Sequence, residues 1–160
     1  MKLEPLFKVE NNKLVKLSDN SIVDIDSLQK IEIKWSVVEL EPECYNEEFL
    51  ANLREQLKPN DDTGKFVILV PVADKTLSTA EDFELFVNAF NHTARRIKDC
   101  ICVAGIELPQ QIISEGFAAD SKAQCFMETL AIKHAQYVYF AKADSVNSQT
   151  SVPSDKIVLY

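Results

Sequence analysis

The chain has 160 residues, 46% of them hydrophobic and 26% charged, and carries a net charge of −8 at neutral pH. That length and balance describe one globular domain that needs no metal or disulfide staple to fold, and they exclude a disordered chain. The acidity opposes phosphate backbones and anionic lipid heads, so neither nucleic acid nor a membrane surface is an expected partner.

The first twelve residues carry charges at Lys2, Glu4, Lys8 and Glu10 and lack the apolar stretch of a secretory signal. Residues 1–24 read as a β-hairpin. Leu6 to Val9 lead into Asn11-Asn12, a pair that tolerates the positive φ of a tight turn, and Leu14 to Leu17 follow. A second turn is expected at Ser18, Asp19 and Asn20. Ile31 to Val38 alternates, with Ile31, Ile33, Trp35 and Val37 on one face, which predicts a strand. Asn46 is a suitable N-cap, and Phe49, Leu50, Leu53 and Leu57 recur at helical spacing until Pro59, where the helix is expected to stop.

Phe66 to Val72 is a continuous apolar run, too short to span a bilayer and typical of a strand buried on both faces. Ser78 and Glu81 fit a capping box for a helix that keeps Phe83, Phe86, Val87, Phe90, Ala94 and Ile97 on one side. Cys100 to Ile106 predicts the next strand, Ala118 to His134 a helix, and Tyr137 to Ala141 another strand. His134, at the helix end, is read as a cation suited to the dipole. Residues 144–155 form a polar loop, and Lys156 to Tyr160 is expected to return and pair.

Three glycines are present, with no G-x-G-x-x-G and no G-x-x-x-x-G-K-[ST], so neither phosphate-cradling loop exists. The four cysteines make no C-x-x-C and there are two histidines, so zinc-finger spacing is absent. The cysteines are expected to be reduced thiols, at least three of them buried, in a cytoplasmic protein. No cofactor or metal site is implied.

The fold class that follows is α/β: an N-terminal β-hairpin, then a four-stranded parallel β-α-β-α-β-α-β sheet over 31–141, in one domain spanning 1–160. Pairing of consecutive strands would make it half-barrel-like; an open flavodoxin-like order is the alternative. Open sheet edges make a homodimer a candidate assembly.

This layout resembles the front half of the (β/α)8-barrel glycoside hydrolases of the cellulase-like family 5 clan. The resemblance is carried by the hairpin from Phe7 to Val23, by Gly64 followed by Phe66 to Val70, by the long helix ending His92 to Lys98 ahead of Val103-Ala104-Gly105-Ile106-Glu107-Leu108-Pro109, and by Tyr137 to Phe140. It covers about residues 7 to 145. The family's Asn-Glu acid/base pair is missing, because Leu108 runs straight into Pro109. Its second catalytic carboxylate belongs to a later strand. The resemblance therefore implies a fold rather than an activity.

In parallel α/β sheets ligands bind beyond the carboxyl ends of the strands. The residues expected there are Glu39 and Glu41, Asp74 beside Lys75, Glu107, and Asp144 beside Lys142. Crowded carboxylates can split their pKa values and act as acid and base, which makes Glu107 and Glu39 the catalytic candidates and Asp74, Glu41 and Asp144 the ligand-binding ones. Against this stands the ordinary role of loop charges in solvation. The sequence favours a non-catalytic or partner-dependent module. The alternative is a carbohydrate-directed or metal-assisted hydrolase with Glu107 as acid/base.

Overall fold

The computed structural model describes residues 3–146 and 151–160. Residues 147–150, part of the expected polar loop, lie outside it. The chain opens with β1 (Phe7–Glu10) and β2 (Lys13–Lys16), joined by a two-residue turn in which Asn11 and Asn12 have φ of 51° and 59°. Positive φ at both positions gives a turn the same twist as the flanking strands, as the Asn-Asn pair predicts. A short β3 (Ile22–Val23) adds a third antiparallel strand beyond the hairpin.

The parallel sheet starts with β4 (Gln29–Lys34) and then departs from expectation. The alternation of apolar residues continues to Val37, yet Trp35–Val38 form a helical turn, α1. The cause is distant in sequence. The Asp74 carboxylate accepts the Ser36 N–H at 2.9 Å and its hydroxyl as well, which fixes the first turn of a helix instead of a strand. A small ribbon follows, β5 (Glu39–Glu41) and β6 (Cys44–Tyr45), turning at Glu43 with φ 63°.

Asn46 caps α2 (Glu47–Thr63) by accepting the Phe49 N–H at 3.1 Å. Pro59 does not end this helix, which runs one more turn to the left-handed Gly64. Tertiary bonds hold that turn against proline's lost donor. Lys58 donates to the Asp99 carbonyl at 2.7 Å, and the Asp61 carboxylate accepts the Cys102 N–H at 2.8 Å.

β7 (Val67–Val72), α3 (Ala80–Ile97), β8 (Val103–Glu107), the short α4 (Gln110–Ile113), α5 (Lys122–Ala131) and β9 (Val138–Ala141) complete the βα units. The capping box of α3 sits one residue later than expected, with Thr79 and Asp82 in place of Ser78 and Glu81. Cys100 and Cys102, expected within β8, precede it. Both are buried, whereas Cys44 and Cys125 are exposed, so two thiols are enclosed and not three. α5 starts only at its cap Ser121. Lys156 to Tyr160 does return: β10 (Ile157–Leu159) pairs parallel with β9.

The five strands lie in consecutive order, β4-β7-β8-β9-β10, all parallel. This is the barrel-like order, and the flavodoxin-like alternative is set aside. Two cores result. On the outer face Ile33, Leu69, Ile106 and Tyr139 meet Leu50, Leu57, Phe86, Phe90, Phe126 and Leu130 of the helices. On the inner face Ile68, Ala104, Val138, Phe140 and Val158 meet Phe7, Val9 and Leu14 of the N-terminal hairpin. Each large apolar side chain buried there is worth about 2 kcal/mol, enough to hold the hairpin as a third layer.

Candidate functional site

Glu107 is the last residue of β8 and is registered against Phe140 of β9. Paired residues in a sheet point to the same side, and Phe140 belongs to the inner core, so Glu107 projects into the inner face. It is 7% exposed, and among the described residues its Oε1 is buried without a hydrogen-bond partner. Burial raises its pKa; Lys142 and Lys30 pull it back down and Glu32 pushes it up, with a net rise. A carboxyl so placed can hold a proton, or accept a hydrogen bond from a guest.

Glu39 has different work. β4 ends at Lys34, so Glu39 follows α1 rather than the strand. It is 1% exposed and its carboxylate accepts the Trp35 indole N–H at 2.9 Å and the Glu43 N–H at 3.0 Å. Lys75 donates to the Glu39 carbonyl at 2.7 Å and stands 3.4 Å from its carboxylate, with the ammonium 5.3 Å from the Trp35 ring. Asp74 binds the N-terminal turn of α1 through Ser36. Burial opposes its charge, but the side-chain and backbone hydrogen bonds from Ser36 outweigh this and lower its pKa.

The structure thus brings Glu39 and Asp74 together at the two ends of α1. The charges acting on Glu107 are Lys142, Lys30 and Glu32. Glu41 and Asp144 are exposed, on β5 and in the turn after β9. Sequence reasoning passed over Lys30, Glu32 and Tyr160, whose ring lies 4.0 Å beneath the Lys30 ammonium. The available signal was the polar face of the first strand, which a curled sheet turns inward.

Trp35 is a core residue, edge-on to Phe86 with ring centroids 5.3 Å apart. His92 stacks on Tyr45 at 4.2 Å and meets Glu47 at 2.6 Å. His134 is buried, and burial, followed by Lys98, Lys133 and Arg95, lowers its pKa, which favours the neutral ring over the expected helix-end cation. Among the described residues no group of three or more His, Cys, Asp or Glu is placed to hold a metal ion, and no helix is long and apolar enough to cross a membrane.

Comparison of the fold with solved structures is decisive for its type. The chain superposes on the endoglucanase Cel5A of Pseudomonas stutzeri with a TM-score of 0.64 at 14% identity, over 83% of this chain and 47% of that one. The fold is that of a partial barrel of the glycoside hydrolase family 5 type. Endo-glycoceramidase II from Rhodococcus sp., as its lactosyl-enzyme intermediate, matches with a TM-score of 0.58 at 12% identity, covering 83% and 49%. A GH5_18 protein from Bifidobacterium longum subsp. infantis matches with a TM-score of 0.51 at 8% identity, covering 70% and 33%. The chain spans less than half the length of each. No family model and no curated protein matches the sequence. At these identities the likeness is one of fold, in keeping with the missing Asn-Glu pair.

Proposed function

We propose that this chain is a non-catalytic half-barrel module that works through association with a partner, in the cytoplasm. The observation that carries this reading is the filled inner face. Phe7, Val9 and Leu14 of the hairpin pack against Ile68, Ala104, Val138 and Phe140 and fill that face. The engagement of Glu39 by the Trp35 indole and the Glu43 N–H, and of Asp74 by Ser36, supports it, because neither carboxylate is free to serve substrate. The free cysteines fit a reducing compartment.

A hydrolase reading keeps one observation in its favour, the raised pKa of Glu107. An acid of that kind needs a second carboxylate about 5 Å away for retention or about 6.5–9.5 Å away for inversion. Assay of the purified protein on aryl β-glycosides and on soluble β-glucan separates the two. The module reading expects no turnover. Turnover that disappears in a folded Glu107→Gln variant would establish the hydrolase instead.

A further inference from the structure

The parallel sheet has two edges. On the β10 side the Asn12 side chain covers part of the edge: its Nδ2 donates to the Leu159 carbonyl at 3.0 Å and its Oδ1 accepts the Leu159 N–H at 2.7 Å. On the other side β4 is the last strand, and among the described residues no strand pairs with its outer edge. The Gln29 N–H bonds the Phe66 carbonyl next to β7. By strand alternation Gln29, Ile31 and Ile33 bond β7, while Lys30, Glu32 and Lys34 aim their peptide groups outward. Those three residues are also exposed.

A second copy of β4 can bond this edge only by opposing outward residues to outward residues, which leaves few registers. A twofold centred on Glu32 sets Glu32 against itself and Lys30 against Lys34. One centred on Lys30 sets Lys30 against itself. Like charges directly opposite are unfavourable, and both registers are disfavoured. A centre at Ile33 matches Glu32 with Lys34 but sets Lys30 against Ser36, which lies inside α1. A centre at Ile31 sets Lys30 against Glu32 twice, with extended backbone from Leu28 to Lys34 on both copies.

We propose that two copies of this chain join through β4, antiparallel about a twofold axis at Ile31, with Lys30 of each copy facing Glu32 of the other. Edge lysines usually block strand pairing; here the alternation Lys-Ile-Glu-Ile-Lys blocks the wrong registers and leaves one. The pairing is isologous and closes on itself. Its product is a dimer with the inner faces of both sheets on the same side.

This inference rests on the association reading, and one experiment tells their failures apart. Light scattering on the eluting full chain at micromolar concentration should give twice the 18.1 kDa chain mass. Lys30→Glu and Glu32→Lys each place like charges opposite one another and should weaken the dimer about tenfold or more. Mixing those two variants should restore a dimer, now of unlike chains, and the double variant Lys30→Glu/Glu32→Lys should dimerise by itself. Circular dichroism checks that each variant is folded, and recovery in the double variant answers any doubt about a single one. A strict monomer would overturn both this interface and self-association. A dimer indifferent to both single substitutions would overturn the β4 interface and leave association standing.

Discussion

Glu107 gives the inner face its chemistry because burial leaves one of its oxygens without a partner. Its folded-state pKa is raised, so the stability linked to it is present in full below the ordinary Glu range, near 4.3. That stability is lost as pH rises through the folded value. Glu107→Gln should therefore be more stable than the parent at pH 7, by roughly 1 kcal/mol or about 3 °C in Tm. The gain should vanish below about pH 4; thermal melts across pH measure it. Glu39 behaves oppositely. Glu39→Ala leaves the Trp35 indole N–H and Lys75 uncompensated, and urea unfolding should show a loss of about 3 kcal/mol. The thiols sort by burial. Burial, with Asp99 next, pushes Cys100 up to about 11, and burial, with Asp61 next, pushes Cys102 up to about 12. Cys44 and Cys125 are exposed. A thiol reagent at pH 8 should label two cysteines quickly in the native protein and all four in denaturant.

At the scale of elements, the strand and helix cores were legible wherever the signal is local. The Asn-Asn turn, the apolar β7, the Asn46 cap and the closing Ile157–Leu159 strand each follow from neighbouring residues. Two of the misplaced boundaries, at Ser36 and Pro59, share one cause, a contact from far along the chain. Ser36 is turned into α1 by Asp74, and Pro59 is carried through α2 by Lys58 bonding to Asp99. The candidate site was legible to the same degree. Glu107 could be placed because it directly follows a buried strand, but its neighbour Lys30 could not, because only the curl of the sheet brings it close. Gly105 illustrates a requirement the sequence states without its reason. A Cβ there would lie 1.7 Å from the Val138 carbonyl oxygen, so β8 and β9 can approach only over a glycine. The irregular register between β7 and β8 occurs at the same place, where Val67 pairs with Val103 but Ile68 with Gly105. Gly105→Ala must push β9 away and should cost roughly 3 kcal/mol in chemical denaturation. A cost under about 0.5 kcal/mol, the range of a neutral surface change, would show that the strands are not so close.

For the whole molecule the question is what covers the inner face of the sheet. A five-stranded parallel sheet with helices on one face leaves its other face apolar, and such sheets are normally covered on both. Here the cover comes from the N-terminus, and the two ends of the chain close it together: Asn12 at the hairpin tip bonds both peptide groups of Leu159, 147 residues away. Asn12 has a positive φ as well, so its replacement must separate turn geometry from docking. Asn12→Gly keeps the turn accessible and deletes only the side-chain bonds. Both Leu159 groups can then be hydrated, so the loss of global stability should be about 1 kcal/mol. The local effect should be larger. Amide exchange at Leu159 should accelerate, and an environment-sensitive dye should gain access to the inner core around Phe7, Val9 and Phe140. Asn11→Gly, in the same turn without those bonds, serves as the control and should leave Leu159 exchange unchanged. Equal protection of Leu159 in both variants would mean that apolar packing alone seats the hairpin. Selective loss in Asn12→Gly would show that the tip bonds latch the cover onto the sheet's last strand.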